Sequence, residues 1–298
     1  MPNYDDLFTG QTTQQEEKPF DKTVWAARKQ AEREGVYAMI DSYVQDMGKE
    51  GGLFQAYLDV QARFDLYSVS NAILIAAQCP EATKLADFDS WKASGVYVRH
   101  GADAITILEP GKEYQRDDGS VGVSYNVRKV FDISQTTARD EAQPQVSYDD
   151  RLLLKALISN SPVPIRAVEE LPGQGRGAMF DPEQNAILVK KGMDAPDIFR
   201  CVSLELANAQ LARSNAEYSR ETEGYKAYAV SYMLCQRYGV EAGGYNISRL
   251  DGVLQGQDPK EEIPAALTDM RDTFKEINGR MARAMGLSRA GRQKEQER

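Results

Sequence analysis

Hydrophobic spacing along the chain switches from helical to strand-like at Gly95, and the same switch recurs in the second half, after residue 147. Before Gly95 the apolar residues recur at three- and four-residue steps, the pattern of helices that bury one face. The first helix begins near Asp21, with Trp25, Val36, Tyr37, Ile40 and Val44 as its buried stripe, and Gly51-Gly52 ends it. Residues 53–78 form a second helical region. Ser68 or Ser70 caps a new helix over 71–78, which Pro80 closes. A short helix over 88–93 carries Trp91. From Gly95 onward VYVRH, AITILEP, EYQ and VGVSYNVRKVFDI are β-rich, and Asp118-Gly119 supplies a hairpin turn between the last two.

The second half runs through the same cycle. A helix opens at Ser147-Tyr148-Asp149-Asp150, and VPIRAV, GAMFD and NAILVKK follow as short strands. Asp194 caps the helix APDIFRCVSLELANAQLA. A further helix spans about 219–238 and stops at Gly239, and the last covers 259–285. The pattern predicts an α+β protein of two domains, residues 20–137 (helices with an antiparallel sheet) and 147–285. A polar linker over 138–146 joins them, and polar tails cover 1–19 and 286–298.

Composition narrows the function classes. No apolar run approaches the roughly 20 residues that span a bilayer, so a membrane role is not expected. The first residues carry acid and no basic leader, and the three cysteines, Cys79, Cys201 and Cys235, are too few and too scattered for a disulfide framework. Both points predict a cytoplasmic protein with reduced thiols. The net charge of −9 argues against broad electrostatic capture of nucleic acid.

The helix after Asp194 contains Leu204-Glu205-Leu206-Ala207-Asn208. A zinc peptidase of the HExxH type would place two histidines at the first and last of these positions and its general base at the second. Glu205 stands where the base would stand, while Leu204 has no donor atom and Asn208 is a poor zinc ligand. The chain has one histidine, His100, in the other half, so a two-histidine site within one chain is impossible. Cys201, Glu205 and Asn208 share a helix face, which reads as packing rather than metal binding or thiol catalysis. On that face Glu205 and Asn208 are expected to complete each other's hydrogen bonds. No catalytic residue, metal ligand or cofactor is assigned.

The ordered series Tyr67-Ser68, Asn71, Leu74-Ile75, Gln78, Pro80, Ala82-Thr83, Trp91-Lys92, Gly95, Val98, Gly101 and Ile105 resembles the N-terminal domain of the ArdC-type antirestriction proteins. The stretches GAMFDPEQNAILVKK and YAVSYMLCQRYGV, around the helix of Glu205, resemble the ImmA/IrrE-like metallopeptidase domain. The whole looks like the LtrC-related proteins of conjugative elements. This resemblance implies a zincin-like C-terminal domain, here without its metal ligands, and a single-stranded DNA-binding N-terminal domain. It also implies a role in DNA transfer or its protection.

Binding of single-stranded DNA needs aromatic faces for bases and cations for phosphates. The candidate interface is Arg63, Tyr67, Asn71, Gln78, Trp91, Lys92, Arg99, His100, Arg128 and Lys129, with Lys84, Tyr97, Tyr114 and Tyr125 as further cations and rings. Against it, residues 20–135 hold 13 Lys/Arg and 17 Asp/Glu, a net of −4, so charge alone does not indicate DNA. Two other readings compete. One is a metalloenzyme with carboxylate ligands, Glu205 with Glu221 or Glu223. The other is a module whose former peptidase cleft holds a protein partner.

Overall fold

The computed structural model describes residues 21–49, 51–116, 118–138, 148–172, 175–242, 244–250 and 252–287. The first tail, residues 288–298 of the second and most of the linker expected from the sequence lie outside these residues. Within them the protein is α+β, as the spacing predicts, and its strands form two three-stranded sheets.

Three helices open the fold: α1 (Lys22–Met47), α2 (Gly51–Arg63) and α3 (Val69–Gln78). Asp21 caps α1 by accepting from the backbone N–H groups of Thr23 and Val24, and Ser68 caps α3 through Asn71 N–H. Gly51-Gly52 does not end the first helix. It ends at Met47, and the two glycines open α2 instead. The expected stripe on α1 is also narrower. Val36 and Val44 are buried, whereas Trp25 and Tyr37 are 51% and 44% exposed, so the buried stripe runs through Val36, Tyr43, Val44 and Met47 instead.

The first sheet has the order β1-β3-β2 and is antiparallel throughout. It comprises β1 (Leu85–Ala86), β2 (Ile105–Gln115) and β3 (Val121–Asp132), with the short helix α4 (Phe88–Ala93) after β1. The VYVRH segment is not a strand. It contributes one isolated bridge, Val98 to Thr136. Asn71 and Gln78 explain how the helices grip the sheet. Asn71 Oδ1 accepts from Leu108 N–H at 2.8 Å and its Nδ2 donates to Leu108 C=O at 2.8 Å. Gln78 does the same to both backbone groups of Thr106, at 2.9 Å each. Two amides one helical face apart thus satisfy an edge of β2 that no strand pairs, which a buried backbone requires.

The second half begins with α5 (Asp150–Ile158), capped by Asp149. A sheet of order β4-β6-β5 follows, from β4 (Ile165–Val168), β5 (Ala178–Asp181) and β6 (Ala186–Lys190). In it β4 runs parallel and β5 antiparallel to β6. Then come α6 (Ala195–Ser214), α7 (Arg220–Tyr238) and α8 (Glu262–Ala284). Asp194 caps α6 as expected, and Gly239, at φ 66°, ends α7 in the left-handed conformation that glycine adopts without strain.

One apolar core runs through both halves, from Tyr57, Leu58 and Phe64 to Met233, Phe274 and Ile277. Buried polar groups cross the same contact. Tyr232 OH donates to Asp59 at 2.6 Å, and Asn278 Nδ2 donates to Asp65 at 2.6 Å. Arg237 donates to the carbonyl of Arg63 at 2.9 Å.

Candidate functional site

Glu205 lies in the middle of α6 and is 1% exposed. A buried carboxylate needs a cation and a full set of donors, since the bare ion is costly outside water. Arg220, the first residue of α7, supplies the cation. Its Nη1 donates to Glu205 Oε2 at 2.8 Å and its Nη2 to Oε1 at 2.6 Å, the two-pronged arrangement that suits a guanidinium to a carboxylate. Phe180 N–H of β5 donates to Oε2 at 2.8 Å. The hydrogen bond to Glu205 is the main cause that raises the Arg220 pKa above its ordinary value.

Asn208, one turn on, is also committed. Tyr218 OH donates to its Oδ1 at 2.6 Å, and its Nδ2 donates to the Leu204 carbonyl at 3.0 Å. Burial pushes the Tyr218 phenol up to about 12, so it remains a donor across the physiological range. Glu205 and Asn208 therefore do not complete each other's hydrogen bonds, as the helix spacing had led us to expect. Each instead takes a side-chain partner from the segment 215–220 that leads into α7. Leu204 packs half-buried against the core.

The remaining acidic and thiol groups are arranged likewise. Glu223 accepts from Lys226 at 2.5 Å, and Lys226 also reaches Asp269 at 2.8 Å. Glu221 is exposed. Cys201 faces Gly177, where an added Cβ would come within 2.6 Å of its Sγ and of Met193 Sδ, so the glycine is what lets β5 lie this close to α6. Burial raises the Cys201 pKa, which disfavours the thiolate. Among the described residues no three His, Cys, Asp or Glu side chains converge as a metal site would need. The donor set around Glu205, a leucine, an asparagine already bonded twice and an arginine, does not fit a divalent cation.

The residues considered for DNA separate into two groups. Several are structural. Asn71 and Gln78 bind the backbone of β2. Trp91 is 2% exposed and donates its Nε1–H to the Phe131 carbonyl at 2.9 Å. Tyr67 packs half-buried, edge-on to Phe64. Arg63 donates to the Pro80 carbonyl. Arg128 is held by Asp87 and by Glu109, the latter at 2.9 Å.

Most of the others lie on the stretch 84–100, which contributes Ala86 and Trp91 to a small separate core with Ile133 and Ala138. Lys92 and His100 are exposed, Arg99 is half-buried, and Lys84 Nζ sits 5.7 Å from the Trp91 ring centroid. Two aromatic rings on this lobe face outward, Phe88 at 52% and Tyr97 at 57% exposure. Lys129 is exposed on β3. Tyr114 and Tyr125 lie on the outer part of the β2–β3 hairpin, 51% and 41% exposed. Sequence reasoning named neither Phe88 as a ring nor Tyr218 and Arg220. The signal for Arg220 was a helical Glu without histidines, followed by an arginine at the start of the next helix.

No family model matches the chain. An uncharacterized protein of Bacillus anthracis, pXO2-81, is 25% identical over 255 residues, covering 67% of this chain. The chain spans 43% of the length of that curated relative. Among solved structures the chain is similar to the Mn(II)-bound antirestriction ArdC protein from the R388 plasmid. That match has a TM-score of 0.54 at 15% identity and covers 83% of this chain and 98% of that one. The metal-free structure of the same protein matches with a TM-score of 0.48 at 16% identity, over 72% of this chain and 85% of that one. The overall fold is thus similar to that of the antirestriction ArdC protein.

Proposed function

We propose that the chain is a single-stranded DNA-binding accessory protein of a conjugative or other mobile element, carrying a metallopeptidase-like domain that does not catalyse. The class rests on the likeness of fold to a plasmid antirestriction protein. The observation that carries the assignment is the lobe around Trp91. There two outward-facing rings, Phe88 and Tyr97, alternate along one stretch of chain with Lys84, Lys92, Arg99 and His100. Rings give sequence-tolerant stacking and cations track phosphates, the combination that single-stranded nucleic acid uses. The inactive half is supported by Glu205, whose two oxygens already accept three hydrogen bonds, two of them from the Arg220 guanidinium.

Fluorescence anisotropy with labelled single-stranded oligonucleotides, titrated across a salt series, tests this. With about three phosphate contacts the logarithm of the affinity falls with the logarithm of salt at a slope of roughly −2. An oligonucleotide that fails to bind even at low salt rejects the reading.

A further inference from the structure

We infer that Arg220 is the resident replacement for a metal ion: its guanidinium does structurally what a bound divalent cation does in a metallopeptidase frame, and by doing so it closes the frame to metal. This rests on the inactive-frame half of the proposed function and not on the DNA-binding half.

The argument starts from Glu205, a buried carboxylate whose helix cannot change its position. Such a group must be neutralised from across the site. In a metal-containing frame the ion supplies the positive charge, its imidazole ligands being neutral. In this chain both imidazole positions are filled by Leu204 and Asn208, and Arg220 supplies a permanent charge with two parallel bonds at 2.8 and 2.6 Å. The third bond, from Phe180 N–H at 2.8 Å, brings in β5. One ion pair therefore ties α6, β5 and the start of α7 together, which is the cross-linking work of a structural cation.

The same short segment closes the second ligand position. Tyr218 stands two residues before Arg220 and donates to Asn208 at 2.6 Å. The turn that presents it is internally fixed. Glu217 N–H donates to Asn215 Oδ1 at 2.9 Å, and Tyr218 N–H to the Asn215 carbonyl at 3.1 Å. Residues 215–220 thus act as a built-in plug, with a phenol set on one former ligand position and a guanidinium on the general base. Restoring histidines alone would leave the cation's space and charge already taken. Removing Arg220 as well would leave a buried anion that a divalent cation can neutralise.

The test uses the full chain without a histidine tag and follows zinc binding by calorimetry and by the shift of the thermal midpoint. Four proteins are compared: the natural chain, Arg220→Met, Leu204→His with Asn208→His, and those two histidine substitutions combined with Arg220→Met. The natural chain and the two-histidine variant are expected to take up no stoichiometric zinc. The combined variant is expected to bind one zinc per chain at least about tenfold more tightly than the two-histidine variant, and to regain thermal stability on binding. Equal zinc affinity with and without Arg220 would overturn the inference while leaving the inactive-frame reading intact. Stoichiometric zinc on the natural chain would overturn both. Should the combined variant not fold in either the absence or presence of zinc, Arg220→Lys combined with the two histidines decides. Its ammonium keeps the charge but not the two-pronged contact, so zinc binding measurably tighter than that of the two-histidine variant supports the inference. Binding no tighter than at the two-histidine level rejects it.

Discussion

The polar groups of the two halves are disposed in opposite ways. In the second half they turn inward: Glu205, Arg220, Asn208 and Tyr218 close on one another, and Glu223, Lys226 and Asp269 form a further ion-pair chain beside them. In the first half the buried polar groups serve the backbone, as Asn71 and Gln78 do, while cations and rings of the Trp91 lobe stay on the surface. A satisfied interior network holds shape and leaves nothing to offer a substrate. Unengaged surface groups cost little and remain available to a ligand. The contrast is between an α6 network whose polar groups bond one another in the interior and an α4 lobe whose rings Phe88 and Tyr97 face solvent.

Four measurements can break or sharpen this contrast. The largest effect is expected for Arg220→Met, which strands the Glu205 carboxylate in the interior. The loss is about 3–5 kcal/mol in urea unfolding. Replacing both partners together, as Glu205→Gln with Arg220→Met, restores a good part of it. If the single variant is as stable as the natural chain, the second half is not held by this pair. Asn71→Ala comes next, at about 2–4 kcal/mol, because it leaves both Leu108 backbone groups without partners. A loss well under 1 kcal/mol would mean that water replaces the amide.

The DNA arm follows. Tyr97→Ala and Phe88→Ala should each weaken oligonucleotide binding by about 1 kcal/mol or more, roughly fivefold, with unfolding unchanged and with Arg220 variants that fold binding as the natural chain does. Binding that drops for Tyr114→Ala but not for these two moves the interface to the hairpin. The smallest effect concerns Asp87, which Arg128 holds down at about 2 through a direct hydrogen bond. A depressed carboxylate stabilises the fold above its ordinary pKa near 4 and loses that contribution as pH falls toward 2. Asp87→Asn keeps the cap on α4, so its deficit should be no more than about 0.5 kcal/mol above pH 4, for a largely solvated pair, and vanish near pH 2. A deficit that persists at pH 2 would assign the effect to capping instead.

Much of the fold was legible because caps and turns are local. Asp21, Asp149, Asp194 and Gly239 mark helix ends in sequence and in space, and Asp118-Gly119 marks the hairpin. The errors came where a local signal had two meanings. Gly51-Gly52 reads as a helix end but opens α2, since the first turn of a helix leaves its N–H groups unpaired in any case and tolerates glycine. Trp25 and Tyr37 fit the apolar period of α1 but are about half exposed, and Val36, Tyr43, Val44 and Met47 form the buried face. In the candidate site the α6 frame was visible from spacing alone. Its partners were not, because Tyr218 and Arg220 reach it from a different helix and its leading turn. Trp91, Asn71 and Gln78 were equally hidden as structural residues, since their partners lie about 30 to 40 residues away along the chain.

The contact of α2 with α7 has a bearing on how the chain tolerates being cut. Tyr232 on Asp59, Asn278 on Asp65 and Arg237 on the Arg63 carbonyl lie within the same apolar core that spans both halves. A polypeptide nicked between Ala138 and Tyr148 would lose one peptide bond and none of these contacts. The two pieces should remain together as a complementing pair, and each piece alone should be a sticky fragment with a bare apolar face. Fragment complementation, rather than independent halves, is then the behaviour that limited proteolysis should uncover.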